Sequence, residues 1–414
     1  MTPKTRRVIW MWNIDEVKWE QIVARLREDL TNALTLGLHN VDGRRCLTGY
    51  SYSELFDWDL YFENIVLSYF GIYEFGKSGV AFFLDRQQEN GFISRTAGVV
   101  WPKSGQHFKP FLAQTALLYV KQSDDADWLK AGYFEKLEMY LAYWLSNEYD
   151  ANRNGLPVWN SADHSGMDNQ DERAGAIDAY VCEGVDLAVF LVREYDAMSQ
   201  LASKLGYIVE QKAYQAKAEA LKTRIQTDFW HEEDGFFYDI NVRTGQHIRC
   251  KTVAGFTPLW IGAASADQAT RLVTEHLTNK ERFWLAYPVA SMAKDEPGYR
   301  QDKYDDETCC NWKGTVWVPS NYYIFHGLLN YGFDGIAREL AEKTMELLLK
   351  NERTREYFNA ETGEGMGLDP FWGWSVLGYV MLMEYEKAYD PSDPATEIIV
   401  PYFKDILEPR RQRS

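Results

Sequence analysis

The chain has 414 residues, 46% of them apolar and 25% charged, which is enough to build a large core and excludes a disordered protein. Its formal net charge of −17 excludes nucleic acid or an anionic membrane as the main partner, because nothing would neutralise phosphates. No run of about 18 apolar residues offers a membrane span, and the basic N-terminal stretch leads straight into a charged helix, so it is not read as a secretory signal. The cysteines Cys46, Cys182, Cys250, Cys309 and Cys310 show no paired spacing, so reduced thiols in a cytoplasmic setting are expected.

Helical periodicity dominates the chain. Between Glu16 and Leu36 the apolar residues Trp19, Ile22, Val23, Leu26, Leu30, Ala33 and Leu34 fall on one stripe. Asp15 can cap that helix and Gly37 can end it. Similar patterns predict helices over 59–74, 76–89, 108–121, 127–147 and 177–204 in the first half. They continue over 208–229, 251–261, 266–277, 318–331, 332–351 and 371–388. Long loops at 38–58, 90–107, 148–176, 230–250, 278–317 and 352–370 alternate with short ones. Helical hairpins joined in this way predict an all-α, single-domain toroid, an (α/α)6 barrel over residues 1–414. Its long loops gather at one end, where a binding site is expected. Short strands are expected only inside loops, as in Gly235–Ile240 before the turn residues Asn241–Gly245, which reads as a local hairpin.

Those loops combine aromatic and carboxylate residues. The first ends in Phe56-Asp57-Trp58-Asp59-Leu60-Tyr61-Phe62, and the second carries Arg95 and Trp101. The third contains Asp163-His164-Ser165-Gly166-Met167-Asp168-Asn169, and the fifth Asn311-Trp312-Lys313-Gly314-Thr315-Val316-Trp317. The sixth contains Glu356-Tyr357-Phe358-Asn359 and then Phe371-Trp372-Gly373-Trp374. A lone loop aspartate is usually a turn former or helix cap, and aromatics alone usually mean core. Together these residue types can hydrolyse an acetal, which needs a protonated carboxyl at the leaving oxygen and a carboxylate to activate water. Asp168 and Glu356 lie in the third and sixth loops, roughly opposite each other around the expected ring. No phosphate-binding glycine loop, zinc-protease helix or nucleophile-elbow serine motif is found. The segment Asp150-Ala151-Asn152-Arg153-Asn154-Gly155 begins like a calcium loop but lacks the closing glutamate, and is read as a turn. No cofactor or metal is called for.

At these residues the chain resembles glycoside hydrolase family 63, in the clan of trehalase-like six-hairpin glycosidases. The carrying elements are Phe56-x-Trp58-Asp59-x-x-Phe62, Ser165-Gly166-Met167-Asp168-Asn169, Asn311-Trp312-Lys313-Gly314-x-x-Trp317 and Glu356-Tyr357-Phe358-Asn359. The resemblance spans about residues 45–390. It implies an inverting α-glycosidase with Asp168 as general acid and Glu356 as general base, with Glu361 and Glu364 as rivals for the base. Lys313 stands where relatives carry arginine, which changes any sugar contact made there. The compact size is similar to the mannosylglycerate and glucosylglycerate hydrolases, so a small carbohydrate is the expected partner, and a homo-oligomer stays open. The substrate-binding candidates are Phe56, Trp58, Asp59, Arg95, Gln114, Arg173, Trp312, Lys313, Trp317 and Trp372. An anionic glycerate would need a cation, for which Arg173 is the leading candidate among Arg95, Lys103, His107, Lys109 and Arg355. A neutral oligosaccharide or trehalose as substrate, and a non-catalytic sugar-binding toroid, are the alternatives.

Overall fold

The computed structural model describes residues 16–41, 43–49, 52–98, 105–302 and 310–385. The sequence-derived expectations at Trp101, Lys103 and Cys309 lie outside the described residues.

Helices that are apolar around most of their circumference must be buried on every side, whereas helices with one apolar stripe can face water. The chain alternates the two kinds. Helix α1 (Glu16–Thr35) packs on the outside, and α2 (Asp57–Ser68) is buried along nearly its whole length. They are followed by outer α3 (Glu74–Leu84), inner α4 (Leu112–Ser123) and outer α5 (Tyr133–Tyr143). Two short helices, α6 (Ala162–Ser165) and α7 (Asp171–Ala174), lie within the third long loop. Next come the buried α8 (Val185–Leu205) and α9 (Ile208–Asp228), of which α9 buries only Tyr214, Ala218, Leu221 and Ile225. The short inner α10 (Thr257–Trp260) and outer α11 (Ala266–Arg271) follow. Inner α12 (Val318–Asn330), outer α13 (Asp334–Lys350) and inner α14 (Leu377–Tyr385) complete the series.

The inner helices close on themselves. α2 packs on α4, α4 on α8, α8 on α10, α10 on α12 and α12 on α14, and the turn Trp374–Val376 that leads into α14 packs back on α2. This is the (α/α)6 barrel, with a continuous core between the two rings.

Four departures from the periodicity have local causes. The helix expected from residue 177 starts only at Val185, because Cys182–Glu183 instead pairs as a strand with Asp239–Asn241. The hairpin in the fourth loop is therefore larger than expected: it joins Val158–Trp159, Cys182–Glu183 and His247–Ile248 in a four-stranded sheet. The helix expected over 127–147 divides at Gly132 into a 3-10 turn and α5. The inner helix expected over 251–261 opens with a 3-10 turn, Val253–Phe256, before α10. In the Asp150 turn, the carboxylate accepts the backbone N–H groups of Asn154 and Gly155. No described helix is long and apolar enough to cross a membrane.

Candidate active site

A cavity of about 510 Å³ opens at the N-terminal ends of the inner helices. Asp57, Trp58 and Asp59 enter it from the first turn of α2, Trp317 and Pro319 from the start of α12, and Trp374 from the turn before α14. The third long loop brings Asp163, Gly166 and Asp168, and the sixth brings Glu356 and Leu368. Of the sequence-derived candidates, the geometry thus gathers Asp168, Glu356, Phe56, Trp58, Asp59, Arg95, Trp312 and Trp317 around one space.

The aromatic residues form its walls. Trp312 stacks on Trp317 with ring centroids 4.0 Å apart, and Trp317 stacks on Tyr357 at 4.6 Å. Trp58 stacks on Phe62 at 5.0 Å and faces Trp312 at 6.1 Å. The Trp317 indole N–H donates to the Asn311 carbonyl, and the side chains of Asn169 and Asn311 hydrogen-bond each other. Trp312 N–H donates to Asn169 Oδ1 at 2.8 Å, so the loop that carries Asp168 is tied directly to the aromatic stack.

Two glycines make room for the two carboxylates. Gly166 has φ +85, and a Cβ there would sit 2.1 Å from the indole nitrogen of Trp58. Only glycine combines that left-handed backbone with so close an approach, and this lets the loop lie flat on Trp58 just before Asp168. Gly367 has φ +72, and a Cβ there would meet Glu356 Oε2 at 2.4 Å. The next residue, Leu368, donates its backbone N–H to that same oxygen at 2.8 Å. The other oxygen, Oε1, lies 3.6 Å from the Cys310 thiol. Cys310 also acts on Asp168, where it works against the upward shift of that carboxyl. Both candidate catalytic carboxyl groups and this thiol line the same cavity.

The carboxyl groups are not equivalent. Enclosure by the pocket walls pushes Asp168 up to about 7, with the neighbouring Asp163 adding to the effect. Burial likewise raises Asp59 to about 7. Asp59 stands in the first turn of α2, and its Oδ1 is buried without a hydrogen-bond partner at the pocket wall. Arg95 is the cation that lines the cavity among the described residues. Its guanidinium binds the Asp163 backbone carbonyl at 2.7 Å and the Asp163 carboxylate at 3.2 Å. Lys109 is fully buried against Asp57, with Nζ to Oδ1 at 2.9 Å, and desolvation lowers it to about 8.

Several expected contacts are placed elsewhere. Arg173 is completely buried and pairs with Asp239 and Asp186. Asp239 also accepts the N–H of Val185 at the start of α8, so Arg173 fastens the third loop to the barrel rather than meeting a ligand. Lys313 turns to Glu172 at 2.6 Å. Trp372 is buried, and its N–H is spent on the Thr48 carbonyl, while Trp374 takes the pocket position instead. Gln114 binds Arg193 at the far end of the barrel. His107 is buried and held neutral by desolvation, near 3, and Arg355 pairs with Asp369. Glu361 pairs with Lys294 and accepts from Tyr299, and neither it nor Glu364 lines the cavity. Sequence reasoning misses Cys310 as a pocket residue because unpaired cysteine spacing speaks only to redox state. It also left Asp163 and Trp374 unassigned within loops it had marked.

The helical toroid is the fold of the six-hairpin glycosidases, and the comparisons agree. Residues 52–375 match the mannosylglycerate hydrolase MGH1-like glycoside hydrolase domain, and the chain belongs to that family. It is 27% identical over 187 residues to a mannosylglycerate hydrolase of Thermus thermophilus, covering 44% of this chain and 42% of that relative. It is 31% identical over 134 residues to a cytosolic neutral trehalase of Kluyveromyces lactis, covering 32% and 17%. The chain thus spans less than half the length of these curated relatives. A solved family 63 mannosylglycerate hydrolase from Thermus thermophilus, in complex with Tris, superposes with a TM-score of 0.65 at 21% identity. That match covers 86% of this chain and 99% of the other, and shows the shared fold.

Proposed function

We propose that this chain hydrolyses a small α-glycoside with inversion of the anomeric centre. The observation that carries the reading is the shared cavity, which Asp168 and Glu356 line from the third and sixth loops. Asp168, raised to about 7, is protonated for much of its population near neutrality and supplies its proton to the glycosidic oxygen as the C–O bond breaks. Glu356, oriented by Leu368 N–H, takes a proton from water as that water's oxygen bonds to the opposite face of the anomeric carbon. Inverting enzymes keep their carboxyl groups roughly 6.5–9.5 Å apart so that water fits, and inversion is the outcome the family resemblance implies for this pair. Asp59 and the walls formed by Trp58, Trp312 and Trp317 would hold the sugar ring, the carboxylate accepting hydroxyls and the indoles covering its apolar face.

The family description and the Thermus relative support an α-mannoside of glycerate as the first substrate to try. Arg95 replaces Arg173 as the cation for a carboxylate aglycone. A neutral aglycone is the second reading, favoured by the fact that Arg95 is already engaged by Asp163. A cytoplasmic setting fits the free thiols among the described residues and the cytosolic trehalase relative. The test is turnover of a panel containing mannosylglycerate, glucosylglycerate, trehalose and neutral α-glucosides, with the released anomer read by NMR before mutarotation. Turnover of none, or release of the retained anomer, overturns the reading.

A further inference from the structure

A second cavity, of about 590 Å³, opens at the opposite mouth of the barrel, where the inner helices end. Lys121 lies in the last turn of α4, Trp260 ends α10 and Asn330 ends α12, while Arg193 and Gln200 line it from α8. The two mouths have opposite character. The catalytic mouth is lined by Glu54, Asp57, Asp59, Asp163, Asp168 and Glu356 against Arg95. The rear cavity is lined by Lys121 and Arg193 against Asp196, in a chain whose net charge is −17.

Arg193 is the centre of this cavity. Its Nε donates to Gln114 Oε1 at 2.8 Å and one terminal nitrogen donates to the Tyr61 hydroxyl at 2.9 Å. Its guanidinium lies flat on Trp260, 3.6 Å from the ring centroid. Gln114, Tyr61 and Trp260 are all neutral, and among the described residues Arg193 makes no ion pair. Two hydrogen bonds and a stacked ring therefore hold the guanidinium at the cavity wall without an ion-pair partner among the described residues. A planar fork held in this manner is preorganised for a carboxylate or phosphate. Gln200 stands at the same wall as an amide partner for a polar body attached to that anion, while the Asn330 amide nitrogen donates to the Leu259 and Trp260 carbonyls.

We propose that the rear mouth is a binding site for a small organic anion, a phosphate or carboxylate ester or acid, anchored by Arg193. It is separate from the catalytic pocket: Trp58 lines one cavity and Tyr61, one helical turn on, lines the other, with Phe111 packed against both rings.

The test is calorimetric titration of the full chain with inorganic phosphate and with acetate, and with glycerol as a neutral control. Wild type binds phosphate, acetate or both and not glycerol, and which anion binds more tightly assigns the ligand's acidic group. Arg193→Gln keeps glycosidase turnover and weakens anion binding by about tenfold or more, the loss of a charged hydrogen-bonded pair. Gln200→Glu, which leaves the Arg193 contacts in place and adds a like charge to the bound anion, weakens it as well and serves if Arg193→Gln does not fold. Absence of anion binding by wild type at tens of millimolar overturns the proposal. So does binding that both variants leave unchanged.

Discussion

The thiol of Cys310 lies 3.6 Å from Glu356 Oε1, in the same cavity that Asp168 lines, so the sulfur sits beside the proposed base. The other described cysteines, Cys46, Cys182 and Cys250, are buried. A methanethiosulfonate reagent should therefore attack Cys310 in preference to these three, fill the cavity beside Glu356, and abolish turnover until a reductant removes the adduct. Cys310→Ala removes the target, and its residual turnover should be indifferent to the reagent. Inactivation of Cys310→Ala by the same reagent would mean that the sensitive thiol is elsewhere.

Gly367 tests how tightly the base is held. A methyl group there would come within 2.4 Å of Glu356 Oε2 at a backbone φ of +72. Gly367→Ala should displace the carboxylate and lower kcat by two orders of magnitude or so, as misplacing a reacting group by about 1 Å does. KM should change little. Wild-type kcat in this variant would remove Glu356 from the reaction.

Glu356→Gln should lose turnover on natural and activated aryl glycosides alike, because the attacking water lacks a base in both cases. Glu361→Gln should keep it, since Glu361 spends its charge on Lys294 and Tyr299 outside the cavity. The assignment reverses if Glu361→Gln is inactive and Glu356→Gln is not.

Arg173→Ala should act through stability. The guanidinium is wholly buried between Asp186 and Asp239, and removing one member of such a network strands buried charge at a cost of about 3–5 kcal/mol. A clearly lowered Tm is expected, with equal proportional losses for charged and neutral substrates. Arg95→Gln, by contrast, should raise KM for an anionic aglycone more than for a neutral one. A selective KM effect in the Arg173 variant would place it back at the ligand.

The ring of helices was legible because inner and outer helices differ in how many of their faces are apolar, as α2 and α9 show. Asp168 and Glu356 were legible as pocket residues because they sit in long loops that also carry aromatic residues, which the fold gathers at one mouth. Partner choice was not. Nothing local in the sequence tells that Arg173 meets Asp239, 66 residues away, or that Lys313 meets Glu172, 141 residues away. Both cations follow loop motifs and look available until the third loop folds onto the four-stranded sheet. The extent of that sheet was hidden for the same reason: Cys182–Glu183 is two residues long and gains its strand character only from pairing with Asp239–Asn241.

The assignment of Asp168 as the acid is tested most directly by the pH profile and leaving-group dependence of Asp168→Asn. Its carboxyl is raised to about 7 by enclosure, and only the protonated form donates, so wild-type kcat/KM should fall as pH rises through about 7. Asp168→Asn should lose about 10²–10⁴-fold on a natural α-glycoside. On an aryl α-glycoside with an activated leaving group it should recover part of that loss, and the fall near pH 7 should be gone. An Asp168→Asn variant that turns over the natural substrate at a near-wild-type rate, with the fall near pH 7 intact, would contradict the assignment.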